Sequence, residues 1–232
     1  MYTKKNELEH SWRNELKFVL DNVNIQNIIH IIRTNPYLFS EIFPQRKINN
    51  IYFDDLRFSS FSENIAGVSK RSKLRLRWYG KNINLIQNPT LELKIRNSNV
   101  GRKVKFFLQD SSFDLNEFRA HNFHWKILPP LPADMQKFFF KSKPTLRNSY
   151  TRRYFLSNCK KFRLTVDTNL EFNGINKRSR CYFSNSIILE LKFAKEHKME
   201  ASKVMQHFPL RVVKSSKYVT GLSKISELPN IY

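Results

Sequence analysis

One feature constrains this chain more than any other: an alternation of period two that puts cations on one side and apolar residues on the other. Across residues 69–79, Arg71, Lys73, Arg75 and Arg77 alternate with Ser72, Leu74, Leu76 and Trp78. In a strand, residues i, i+2 and i+4 share a face, so the four cations form one row. Like charges in a row repel, and strand stability alone does not select them. The same division recurs elsewhere. Arg13, Glu15 and Lys17 oppose Leu16 and Phe18, and Glu92, Lys94 and Arg96 oppose Leu91, Leu93 and Ile95. Lys103 and Lys105 oppose Val104 and Phe106, Arg163, Thr165 and Asp167 oppose Phe162, Leu164 and Val166, and Glu190 and Lys192 oppose Leu189, Leu191 and Phe193.

The pattern predicts strands over 14–20, 48–54, 69–79, 90–96, 102–108, 149–156, 161–167 and 187–193. Shorter helices are expected at 25–33, 113–118, 135–140 and 198–208. The proline run 129–132 breaks the middle of the chain, but strands of one type lie on both sides of it, so a single α+β domain is expected. Two architectures satisfy the alternation. One is an open antiparallel sheet with helices on one side and water on the other. The second is a closed barrel whose charged face lines a polar interior, which also removes the edge strands.

Charge separates the function classes. Forty-one Lys and Arg against nineteen Asp and Glu give +22 over 232 residues, and the isoelectric point is near 10.1. Such an imbalance opposes compactness, and a polyanionic partner is the usual reason for it. Glu15, Glu92, Asp167 and Glu190 can interleave with the cations but cannot balance them. The surplus specifies a ligand with several negative charges in a row, and guanidinium forks suit phosphate oxygens. A carboxylate beside phosphates can also carry Mg²⁺ or Mn²⁺ to them. Five glycines without GxGxxG or GxxxxGK[ST] argue against a dinucleotide fold or a P-loop. Cys159 and Cys181 make no disulfide framework or zinc site. No signal-peptide-like or membrane-spanning apolar run occurs, so a cytoplasmic protein is expected.

Several motifs taken together resemble a known family. Arg13-x-Glu15-x-Lys17, Tyr52-Phe53-Asp54, Arg71-x-Lys73-x-Arg75-x-Arg77-x-Tyr79 and Glu92-x-Lys94 occur in order. They are followed by Tyr150-x-Arg152, Arg163-x-Thr165-x-Asp167, Glu190-x-Lys192 and Ser216-Lys217-Tyr218. This set resembles the VTC domain, the polyphosphate polymerase module of the vacuolar transporter chaperone complex, within the triphosphate tunnel metalloenzymes (CYTH-like superfamily). The resemblance covers residues 11–222, with tails expected at 1–10 and 223–232.

It implies a closed antiparallel β-barrel, a triphosphate tunnel with a cationic lumen and helices packed outside. It also implies ATP and polyphosphate as ligands, with transfer of the γ-phosphoryl group to the growing chain. By position, the family's phosphate-binding residues fall on Lys17, Arg75, Arg77, Lys94, Lys105, Arg152, Arg163 and Lys217, with Lys105 preferred to Lys103 by spacing. Arg75, Arg77 and Lys94 are expected on the triphosphate, and Arg152, Arg163 and Lys217 on the polymer. Glu190 is the expected ligand of Mn²⁺ or Mg²⁺, with Glu15, Glu92, Asp167 and Ser216 in support. Hydrolytic and cyclase members of the superfamily resemble one another in an ExExK strand. Here Arg13 replaces the first glutamate, which favours the polymerase branch. The eukaryotic complexes add an SPX domain and membrane helices not seen in this sequence, so a membrane partner protein is compatible with the resemblance.

Other readings stay open. A tunnel that binds polyphosphate without synthesising it, or a triphosphatase, needs the same cations. A nucleic-acid-binding module also suits the charge, but single-strand binders interleave stacking aromatics with the cations. Here most Phe and Trp fall on the opposite face, with Tyr79 and Tyr150 as exceptions, so nucleic acid is not expected. His121 and His124 read as surface histidines, residues 176–180 as an exposed basic loop, and Lys4 and Lys5 as a solvated tail. Tyr52 and Phe53 read as core and Asp54 as a turn former.

Overall fold

The computed structural model describes residues 13–97, 100–108, 110–115, 131, 133–175 and 181–225. His121, His124, the basic run 176–180 and the expected N-terminal tail lie outside these.

The alternating segments become antiparallel strands: β1 (Arg13–Leu20), β2 (Ser40–Asp54), β3 (Lys70–Tyr79), β5 (Thr90–Asn97), β6 (Val100–Phe107), β8 (Lys143–Leu156), β9 (Arg163–Gly174) and β11 (Ile187–Ala194). Three short strands, β4 (Leu85–Gln87), β7 (Ser112–Asp114) and β10 (Cys181–Ser184), were not visible in the period. A helix was expected over 113–118, but residues 112–114 instead pair with β4 in a two-stranded sheet, Ile86 opposite Phe113.

The main sheet runs β10-β9-β11-β1-β6-β5-β3-β2-β8, and β8 also pairs with β9. Following the hydrogen bonds from β9 around to β8 therefore leads back to β9. One seam is thin: among the described residues β1 and β6 share the single pair Arg13–Gly101, whereas β5 and β6 share eight. The continuous closed barrel that was expected is thus met in part, as an antiparallel sheet that curls onto itself around one weak seam.

Helices cover the apolar face. Helix α1 (Ile25–Thr34) is started by Asn24, whose side chain accepts from the Gln26 amide, and buries Ile28, Ile29 and Ile32. With α4 (Lys198–Gln206) it covers Phe18, Leu164, Val166, Leu189 and Leu191. Helix α3 (Ala133–Lys141) sets Met135 and Phe139 against Leu74, Leu76, Trp78, Leu91 and Leu93.

Helix α5 (Lys217–Ile225) does something different. It packs with α2 (Ser59–Ile65) on Tyr52, Leu146 and Tyr150. Tyr52 is the register partner of both Arg75 and Leu146, so α5 sits against the same face as the cations. The C-terminal tail expected from 223 starts inside this helix, which continues to Ile225. Gly221 allows the approach, because a Cβ there would lie 2.7 Å from the Leu146 side chain and closer still to Phe172. Tyr52 and Phe53 are core residues as expected. Asp54 caps α2 by accepting from the Ser60 and Phe61 amides, and accepts the Tyr218 hydroxyl at 2.7 Å.

Candidate functional site: the charged face of the curled sheet

Register alone brings the predicted residues together. Arg75 pairs with Glu92 and Lys73 with Lys94 across β3 and β5. Glu92 pairs in turn with Lys105, and Lys94 with Lys103, across β5 and β6. Lys17 pairs with Glu190 across β1 and β11, and Glu190 with Thr165 across β11 and β9. Arg152 pairs with Asp167 across β8 and β9. All of these stand on one face of the sheet, whose other face is apolar.

Three carboxylates are firmly engaged. Glu92 accepts from Arg75 Nε at 2.7 Å, and Arg77 and Lys103 stand 3.8 Å away. Burial alone would raise the Glu92 carboxyl, but these cations hold it well below the usual carboxylate range. Asp167 accepts from Arg152 through both oxygens and from the Lys217 ammonium. Against the burial penalty, that pairing depresses its carboxyl to about 2. Glu15 accepts from Lys94 Nζ at 2.7 Å, an ion pair between strands that are not hydrogen-bonded neighbours.

Glu190 differs. Its ion pairs are long: Lys192 at 3.5 Å, Arg152 at 3.9 Å and Lys17 at 4.0 Å. Burial opposes ionisation, yet Lys192, Lys17 and Arg152 together hold it well below its ordinary value. It stays a carboxylate without being clamped. Among the described residues no cluster of three or more His, Cys, Asp or Glu could cage a metal. A hard divalent cation held by one carboxylate plus phosphate oxygens is an ordinary arrangement, and Glu190 fits that role.

Several cations have poor partners. Lys73 donates to Ser216 Oγ at 2.7 Å and is crowded by Lys17, Lys94, Arg71 and Arg75. Burial first and then these charges push its amine well below the ordinary lysine value. Lys17 donates to the Ser215 carbonyl at 3.1 Å, and burial lowers its amine too. Burial also brings Lys103 down to about 7, with Glu92 opposing and Arg75 and Arg77 reinforcing.

Of the residues expected at the site, Lys17, Arg75, Arg77, Lys94, Arg152, Lys217, Glu15, Glu92, Asp167, Glu190 and Ser216 are joined by these contacts. Lys105 shares the face beside Glu92. Arg163 does not join the cluster: it is exposed at the start of β9, paired with Lys192 and Leu156. Lys73 and Lys192 lie in the quoted motifs with no role assigned to them, and Lys103 is the neighbour that spacing passes over for Lys105, although the same i, i+2 period marks all three. Tyr150 was treated as an exception and is central. It is 1% exposed, its hydroxyl accepts from Arg77 at 3.2 Å, and Arg152 and Lys217 lie over its ring at 5.2 and 4.7 Å. Burial would raise its phenol, but Arg152 and Arg77 lower it.

Comparison with known proteins gives the family and the fold. The VTC domain family profile matches residues 12–226. A Pyrococcus horikoshii protein superposes with a TM-score of 0.54 at 16% identity, covering 91% of this chain and 99% of its own. A putative adenylate cyclase from Bacillus halodurans gives 0.55 at 13% identity, covering 89% and 94%. A putative adenylate cyclase from Vibrio parahaemolyticus gives 0.52 at 12% identity, covering 92% and 98%. At these identities the likeness is one of fold. No helix among the described residues is long and apolar enough to cross a membrane.

Proposed function

The chain belongs to the VTC domain family, and from that premise we propose that it is a polyphosphate polymerase working in a closed cationic tunnel. ATP enters, the terminal phosphate oxygen of a polyphosphate attacks the γ-phosphorus in line, the bond to the β–γ bridging oxygen breaks, and ADP leaves. The observation that carries this reading is the surplus of cations on the enclosed face after Glu15, Glu92 and Asp167 are committed to Lys94, Arg75 and Arg152.

Phosphoryl transfer needs positioning and charge stabilisation more than covalent chemistry, so no protein nucleophile is called for. Arg75, Arg77 and Lys94 hold the triphosphate. Arg152 and Lys217, set at Tyr150, hold the acceptor chain, and exposed Arg163 gathers it further out. Glu190, with phosphate oxygens, would hold Mn²⁺ or Mg²⁺, which neutralises charge on the transferred group. The polymerase is favoured over a triphosphatase because Arg13 stands where hydrolytic relatives have the first glutamate of ExExK, and the remaining one, Glu15, is taken by Lys94.

The test is ATP turnover with Mn²⁺ by the wild type beside Glu190→Gln and Arg75→Ala. ADP release matched by long-chain polyphosphate, lost in both variants, is expected. Orthophosphate without polymer would replace this reading with a triphosphatase. Salt-sensitive polyphosphate binding with no turnover would leave a binding tunnel.

A further inference from the structure

One group of side chains on the charged face gathers aromatic rings around an arginine. Tyr79 follows Arg77 by two residues on β3, and Tyr154 follows Arg152 by two on β8. Both therefore share the face of those arginines and lie one step further along, about 6.7 Å on the rise of a strand. Tyr154 is the register partner of Thr165 and Tyr79 of Ile48, which keeps both on the same side. Arg46 of β2, the partner of Arg152, draws them together. Its guanidinium carbon stands 5.9 Å from the Tyr79 ring, 5.8 Å from Tyr154 and 5.2 Å from Phe43.

This cluster is open to solvent, unlike the aromatics of the core. Tyr79 and Phe43 are each 47% exposed, and Arg46 is exposed as well. It also lies away from α5, whose Tyr218 stacks on Tyr52 at a ring separation of 5.2 Å. The charged face thus has one end covered by a helix and another ending in flat π surfaces around a planar cation.

From this we infer that Arg46, Tyr79 and Tyr154 form a stacking subsite for the nucleobase of the nucleoside triphosphate whose phosphates lie on Arg75 and Arg77. The inference rests on the proposed use of the charged face for a triphosphate, and adds where the nucleoside goes. One two-residue step separates Arg77 from Tyr79, the kind of gap a ribose bridges between a phosphate and its base, and Arg46 sets Tyr154 beside that ring. Rings and a guanidinium offer stacking surfaces that every base can use, so the subsite retains a nucleotide without selecting its base. It also distinguishes a nucleotide from the polymer, since polyphosphate has nothing to stack. ADP is held at this end by surfaces that the polymer cannot use.

The experiment is calorimetric binding of ATP, and separately of inorganic tripolyphosphate, to the wild type, Tyr79→Ala and Tyr154→Ala. Each variant is expected to weaken ATP about tenfold, the lower part of the range for one stacked base. The tripolyphosphate affinity stays unchanged, and GTP and CTP follow ATP. A Tyr79→Trp variant gives a readout that does not depend on the alanine variants folding: its fluorescence is quenched by ATP and not by tripolyphosphate. Equal weakening of both ligands, no weakening of either, or no ATP-selective quenching overturns the subsite. ATP-selective losses without any polyphosphate synthesis sustain the subsite and remove the polymerase. Synthesis with ATP affinity unaffected in both tyrosine variants does the reverse. A wild type that binds neither ligand removes both.

Discussion

Two regions of the charged face solve the same problem differently. Where β8, β9 and α5 meet, cations come with their own counterion: Arg152 and Lys217 both close on Asp167, which is fully buried. Where β1, β3 and β6 meet, Lys17 finds a backbone carbonyl and Glu190 only at 4.0 Å, Lys73 a hydroxyl, and Lys103 a carboxylate 3.8 Å away that is already shared with Arg75. The first region is neutralised by the protein. The second is left short of negative charge, and its amines are depressed by burial first and by neighbouring cations next. A fold needing internal balance alone would place acids in both. Under the proposed function, a polyanion bound along the face would add to the second region the negative charge that the protein does not supply there, while Arg152 and Lys217 meet it already oriented by Asp167.

The sharpest way to break this comparison is Asp167→Asn. It leaves a buried guanidinium and ammonium unpaired, which costs about 3–5 kcal/mol. For a chain of this size that lowers the melting temperature by roughly 6–20 °C. The same carboxylate fixes an acid limb. Its folded value of about 2 lies below the unfolded one near 3.9. Its stabilisation is therefore complete above pH 4 and fades as pH falls through 2. Thermal melts of wild type and variant from pH 2 to 7 should converge at the acid end. Glu190→Gln, by contrast, removes long ion pairs and should shift melting less than Asp167→Asn does. A larger shift would mean that Glu190 is structural.

Gly221→Ala probes how α5 holds the neutralised region. The added methyl meets Phe172 and Leu146, and overpacking of this kind costs about 1–3 kcal/mol. Because Lys217 and Ser216 begin the same helix, weaker polyphosphate binding should accompany the lower melting temperature. Unchanged binding would show that these side chains hold their places without close docking of the helix.

What was legible in the sequence follows from the physics of each element. The long strands announced themselves because arginine and lysine alternate strictly with leucine, and the same alternation named most of the site. Strands of three or four residues, such as Leu85–Gln87 and Ser112–Asp114, are too short to show a period, and Phe113 with Leu115 and Phe118 imitated a helical face. Helix α5 was hidden for a different reason. KYVTGLSKI carries a central glycine that propensity counts against a helix, and contact with Phe172 makes it necessary. Asp167 and Glu92 were recognised as counterions because their strands also carry cations. Which cations are poorly balanced depends on distances around the face, so the position of Lys73 and Lys103 is legible only in three dimensions.

Lys73→Met sharpens the comparison from the other side. This amine is buried among four cations with a hydroxyl as its acceptor, so removing its charge relieves repulsion. The variant should melt higher, by about 1 kcal/mol of added stability, and bind polyphosphate more weakly. A lower melting temperature would show that the Ser216 hydrogen bond outweighs the crowding and that the region is not short of negative charge.

The last effect expected is one of pH. With its amine near 7, Lys103 is largely neutral at pH 8.5 in the free protein and charged at pH 6. A polyanion favours the charged form, raises that value and takes up a proton on binding, so affinity should strengthen as pH falls from 8.5 to 6. The sign for folding is opposite. The unfolded lysine, near 10.4, holds a proton that the folded one has lost between pH 7 and 10, so the free protein gains stability as pH rises through that window. Lys103→Met should flatten both trends, in affinity measured by calorimetry and in melting temperature. Retention of both in the variant would move the proton uptake to Lys73 or Lys17, the other two lysines in the region where the protein leaves its cations short of negative charge.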